Sequence, residues 1–139
     1  QVYTTLDRLE RDALVARDGD DGNGHVVYSI TAAGRAEIRE WFAAPVERNN
    51  PPRNELAIKL ALAVTVAGVD IQAIIQGQRM ASVRALQDYT KARRETASSQ
   101  RSVDTAWLLV LDSLIFQTEA EVRWLDLCEA RMIQQAQGK

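Results

Sequence analysis

Cysteine and histidine are almost missing: Cys128 and His25 each stand alone in 139 residues. A single cysteine closes no intrachain disulfide, which excludes the small disulfide-stapled secreted class. With one distant histidine it cannot furnish the four ligands of a structural zinc site, so no metal and no cofactor is expected. There is no Ser-His-Asp or Cys-His arrangement, no glycine-rich phosphate loop and no helical histidine pair, so no catalytic residues are expected and the chain does not read as an enzyme. Long hydrophobic runs are lacking as well. The densest, Trp107 to Phe116, is broken by Asp112 and Ser113 and falls short of the ~18 residues of a membrane span. Charge of one sign is also scarce, with 17 basic against 19 acidic side chains and a net charge of −2. That balance excludes a protein that grips nucleic acid with its whole surface, while local basic contacts remain open.

What is present is an ordinary globular composition, 46% hydrophobic and 26% charged, in about one domain's length by the usual ~100–200 residues. Val2, Leu6 and Leu9 follow helical spacing and leave Tyr3, Thr4, Asp7, Arg8 and Arg11 on the other face. Leu14–Asp18 and His25–Ile30 are β-favouring runs around Gly19-Asp20-Asp21-Gly22-Asn23-Gly24, a hairpin signal. Thr31 is placed to cap a helix running through Ile38 to Phe42, halted by Pro45. The polar, proline-bearing stretch Glu47–Arg53 is the best domain boundary. It gives an N-terminal domain over 1–46 and a C-terminal domain over 53–139. The second is all helix by pattern: Leu56–Val66, a helix from an Asp70 cap to Ala97 that Gly77 could soften, a connector Ser98–Ser102, and a last helix Val103–Gln135.

A helix followed by a β-hairpin is the second half of a winged helix-turn-helix, in which the helix enters the major groove and the wing reaches neighbouring DNA. Threonine hydroxyls can bond phosphates or base edges, and arginine can take guanine O6 and N7 together. An amphipathic surface helix with no nucleic-acid role fits the same pattern. The apolar side chains Trp107, Leu108, Leu109, Val110, Leu111, Leu114, Ile115 and Phe116 surround the last helix, and Val122, Leu125, Cys128 and Met132 continue it as a stripe. A helix apolar all round must be covered on more than one side. The expectation is a two-fold homodimer interface carried by Leu60, Trp107, Leu108, Leu111, Leu114, Ile115 and Val122.

The segment Gln1-Val2-Tyr3-Thr4-Thr5-Leu6-Asp7-Arg8-Leu9-Glu10-Arg11-Asp12-Ala13-Leu14-Val15 resembles the recognition-helix signature of the PadR-like transcriptional regulators. Tyr28-Ser29-Ile30-Thr31-Ala32-Ala33-Gly34-Arg35 is similar to that family's wing-closing motif, and Asn54-Glu55-Leu56-Ala57-Ile58-Lys59-Leu60 to the opening of its helical domain. The resemblance implies a mainly α protein, an α+β winged helix with a two-stranded wing followed by an all-α dimerisation domain ending in a long helix. It implies a cytoplasmic bacterial regulator, expected to be a repressor that binds a palindromic site on double-stranded promoter DNA as a homodimer. DNA contacts are then expected from Gln1, Tyr3, Thr4, Thr5, Arg8, Arg11, Arg17, Asn23 and His25. Family members carry two further helices before this segment, so the chain reads as starting at the recognition helix. An aromatic small-molecule effector is a further expectation, with Trp107, Phe116 and Trp124 as its walls, although simple packing would account for the same tryptophans. Ala13 stands where the family usually has glycine, and Asp7 where many members have lysine. With Asp20 and Asp21 at the wing tip, these departures keep a second reading open: a non-catalytic dimeric helical scaffold with a degenerate wing.

Overall fold

A computed structural model describes residues 1–48, 53–98 and 101–138. The joint around 49–52 and the connector at 99–100 lie outside the described residues. The chain divides into two compact units, Gln1–Pro52 and Arg53–Lys139.

In the first unit the order is α1 (Val2–Arg11), β1 (Val15–Asp20), β2 (Val26–Ile30) and α2 (Ala32–Ala43). The end of α1 is a Schellman turn: the Leu14 N–H donates to the Leu9 carbonyl at 2.9 Å and the Ala13 N–H to that of Glu10 at 3.0 Å. This geometry needs a left-handed residue, and Ala13 takes it with φ +59°. β1 and β2 pair antiparallel, Val15 opposite Ile30, Ala16 opposite Ser29 and Arg17 opposite Tyr28. The register then shifts, so that Asp20 faces Val26. The extra residue in β1 makes a bulge, and Gly19 absorbs it at φ +98°.

Thr31 closes the hairpin. Its hydroxyl donates to the Ala13 carbonyl at 2.7 Å and accepts from the Gly34 N–H at 3.1 Å. Its own N–H donates to the Leu14 carbonyl at 3.0 Å. Gly34 is buried because that junction is tight: a Cβ on it would sit 2.2 Å from the Leu14 carbonyl oxygen and 2.8 Å from an Ile30 side-chain carbon.

The second unit holds α3 (Glu55–Ala63), α4 (Ile71–Thr96) and α5 (Ser102–Gln137). Asn54 caps α3 by accepting from the Ala57 N–H, and Asp70 caps α4 by accepting from the Ala73 N–H, each at 3.0 Å. α3 ends three residues before the Val66 expected from the pattern. Val64, Thr65 and Val66 are all β-branched and poor helix continuers, and the Thr65 hydroxyl bonds back to the Leu62 carbonyl at 2.8 Å. Gly77 leaves α4 unbroken.

α4 and α5 run antiparallel, which the ion pairs Arg79–Asp126 and Arg93–Asp112 show directly. Leu60, Ile75 and Leu125 form the centre of the core, with Ile71, Ile74, Trp124 and Met132 packed against it. Leu111 and Ile115 are also buried. Among the described residues no helix is long and apolar enough to cross a membrane.

Candidate nucleic-acid interface

α1 turns Leu6 towards the wing and Leu9 towards α2, half-burying both, while Val2, expected on the same face, stays exposed with the polar residues. Thr4, Thr5, Asp7, Arg8 and Arg11 line one shallow concavity. Gln1 and Tyr3 are also exposed, and the Thr5 hydroxyl is turned back onto the Gln1 carbonyl at 3.1 Å. A cleft of about 380 Å³ between α1 and the wing is lined by Tyr3, Asp7, Arg17, His25 and Tyr28, among others. The expected DNA-facing set thus falls on one side of α1 and on the wing beside it. Asp7 borders both hollows, so a carboxylate sits among the donors.

Several of the expected contacts are engaged within the unit: Arg11 lies 4.0 Å from Asp12, and Arg17 and His25 are held more fully. The Arg17 Nε donates to Glu10 at 3.3 Å, its Nη2 to the Tyr28 hydroxyl at 3.4 Å, and its guanidinium lies 5.7 Å from the Tyr28 ring centre. The Glu10 carboxylate, and then Tyr28, hold the Arg17 guanidinium above its ordinary value. Arg17 therefore fastens the wing to α1 while about half its side chain stays exposed. Glu10 and Tyr28 share in that fastening, and the one cue in the sequence is that a strand residue opposite Arg17 must share its face.

His25, an expected DNA contact, has a partner within the wing. Its Nδ1 lies 3.0 Å from an Asp21 carboxylate oxygen. Asp21 also accepts the N–H groups of Asn23 at 2.8 Å and His25 at 3.2 Å. Led by the Asn23 amide, these bonds hold the Asp21 carboxyl below the usual carboxylate range. The wing tip is accordingly preformed, with Asn23 exposed at its apex.

The three expected effector walls do not come together within one chain. Trp107 and Phe116 are nine residues apart, which at 3.6 residues per turn puts them about 180° apart on α5. Trp124 instead lines a separate apolar groove of about 220 Å³ with Leu60, Ile71, Cys128, Arg131 and Met132, among others. Burial pushes the Cys128 thiol up.

The expected interface set also needs correction. Leu60, Leu111 and Ile115 are 4%, 1% and 4% exposed, filled by the chain's own helices without a partner. Leu108, Leu114 and Val122 are half-buried and keep part of their surface open, and Trp107 is exposed. The polar pairs along α4 and α5 sum to about 205 in residue number, so α4 has run out at Thr96 by the level of Trp107.

A helix ending in a left-handed turn, a two-stranded wing and a second helix locked to both define the PadR-like winged-helix fold. The profile of the family described as "Virulence activator alpha C-term" matches residues 52–132, more than half of the chain, and the chain belongs to that family. It is 28% identical over 141 residues to "Probable transcriptional regulator Rv1176c" of Mycobacterium tuberculosis, covering 91% of this chain and 75% of that protein. The fold is similar to the virulence activator AphA of Vibrio cholerae, with a TM-score of 0.65 at 22% identity over 97% of this chain and 78% of that one. It is similar also to PadR of Bacillus subtilis in complex with operator DNA, with a TM-score of 0.72 at 17% identity over 94% and 77%. PadR with p-coumaric acid gives the same TM-score, 0.72, at 18% identity over 94% and 76%.

Proposed function

We propose that this protein is a DNA-binding transcriptional regulator that acts as a homodimer, with unit 1 reading duplex DNA and unit 2 joining the protomers. The observation that carries the reading is the exposed face of α1, where Tyr3, Thr4, Thr5 and Arg8 stand clear of the unit beside a preformed wing. Support comes from the family match and from the operator complex of the similarly folded PadR. Arg8 has no ion pair among the described residues, so its guanidinium is available for a guanine edge. Tyr3, Thr4 and Thr5 would sit at the groove floor and sugar-phosphate rim, and Asn23 and His25 would reach the backbone at the wing. The finer reading is repression through a palindromic site, relieved by a planar aromatic compound, with the p-coumaric acid complex of PadR as its support.

A gel shift with the full-length protein and the DNA upstream of its own gene tests the reading. Binding at low salt is expected. Arg8→Ala should cost about 1–3 kcal/mol on that DNA and little on random duplex. Asp7 in the α1 hollow favours the scaffold alternative. Absence of any shift, or an Arg8→Ala protein that binds as well as wild type, would replace the regulator with a dimeric scaffold.

A further inference from the structure

α1 carries one carboxylate in the middle of a face otherwise made of donors. Leu6 and Leu9 set the inward side of the helix, and at about 100° per residue Thr4 and Arg11 fall opposite them. Asp7 and Arg8 flank that outward line at about 50° on either side, with Asp7 on the side of the wing. Asp7 is exposed and borders two hollows, the one it shares with Thr4, Thr5, Arg8 and Arg11 and the cleft beside Arg17 and His25. Arg11 and Arg17 turn to other acids, Asp12 and Glu10. The Asp7 carboxylate itself has no hydrogen bond or ion pair among the described residues. It is an acceptor held in the open, with nothing in unit 1 to accept from.

We propose that Asp7 is a specificity-determining residue, which accepts a hydrogen bond from the exocyclic amine of a cytosine in the major groove. The proposal rests on the regulator reading above. Asp7 and Arg8 stand at equal angles from the outward line, so a pose that brings Arg8 to a base edge brings Asp7 to one as well. The major groove offers a carboxylate only two kinds of donor, cytosine N4 and adenine N6. Adenine sets its N7 acceptor beside the amine, and an ionised carboxylate, which can only accept, is repelled by that lone pair. Cytosine presents its amine with no acceptor on its own edge, so the chemistry selects cytosine. Guanine and thymine present O6, N7 and O4 to the same position and are rejected. The carboxylate also repels phosphate, which weakens binding to every duplex that lacks the cytosine. Asp7 thus discriminates as much by penalising wrong sites as by holding the right one.

Selection from randomised duplexes with the full-length protein, followed by affinity measurements on the selected site, tests the assignment. The wild-type protein should fix a cytosine in each half-site. Only one N4 hydrogen is free of base pairing, so its loss should cost about five- to tenfold, the lower end of a base contact. Pyrimidin-2-one, a cytosine without its amine, should weaken the wild-type protein by that factor at this position and leave Asp7→Ala unaffected. Asp7→Ala should lose the preference at this position alone and bind random duplex more tightly. Circular dichroism confirms that the variant is folded. An Asp7→Ala protein that binds all sequences more tightly and keeps every preference would overturn the proposal, leaving Asp7 only a repulsion of the backbone. Loss of an adenine preference instead would overturn the cytosine assignment. A variant that matches the wild type throughout would overturn any contact by Asp7. In these three cases the wild-type protein still selects a site and the regulator reading stands. A wild-type protein that selects none would overturn both.

Discussion

The two units hold themselves together by different means. Unit 2 buries Leu60, Ala63, Ile75, Leu111, Ile115 and Leu125, and even its buried Ser82 donates to Glu121 on the facing helix. Unit 1 buries Gly34 alone among its described residues. Its order comes from hydrogen bonds, the Schellman turn, the Thr31 junction and the Asp21 turn. Hydrogen bonds set direction but contribute about 0.5–1.5 kcal/mol net each, whereas a buried Leu or Ile side chain contributes about 1.5–3 kcal/mol. Unit 2 is thus built for cohesion and unit 1 for presentation, its side chains left facing outward. An open apolar groove of about 290 Å³, lined by Leu9, Leu14, Ile30, Ile38 and Trp41 among others, makes the same point.

The contrast is broken most forcefully from the side of cohesion. Leu125→Ala empties a fully buried position and should cost about 2–5 kcal/mol in urea unfolding followed by circular dichroism. The hydrogen-bonded order of unit 1 should be more sensitive to backbone geometry than to apolar loss. Gly34→Ala, which drives a methyl into the Leu14 carbonyl, should cost about 1–3 kcal/mol. It should also weaken amide protection at the Thr31 junction, read by hydrogen exchange. Ala13→Gly should act in the opposite direction, relieving a left-handed alanine and stabilising unit 1 by about 1 kcal/mol.

The smallest effect concerns pH. Asp21 has a lowered value, so its contribution to the wing turn is fully present above the ordinary carboxylate range and is lost as pH falls through the lowered value. Acid titration followed by NMR should shift the Asn23 and His25 amides together. Independent titration of the two would show that Asp21 does not organise the tip.

Most local structure was readable from residue types. Thr31 and Asp70 announce their helices because capping needs only a side-chain oxygen at the right offset. The hairpin follows from the Gly, Asp and Asn cluster between two β-favouring runs, and Ala13 at a glycine position anticipated the left-handed turn. What could not be read was which side of α5 faces inward. Apolar residues encircle it from Trp107 to Phe116, so periodicity gives no preferred direction. Only the course of α4 decides that Leu111 is covered and Phe116 is not. The Arg17–Glu10 and His25–Asp21 pairs escaped for a related reason, since each depends on how a turn folds back rather than on helical spacing.

The junction at Thr31 has an evolutionary corollary. Because one residue grips the Ala13 and Leu14 carbonyls and the first turn of α2, the 17 residues between Ala13 and Thr31 form a closed excursion whose base is secured independently of its tip. Lengthening such a loop twofold costs only about 0.6 kcal/mol in closure entropy. The hairpin is therefore a module free to drift in length and charge while the helix beside it keeps its pose, which lets a lineage change the wing and α1 separately.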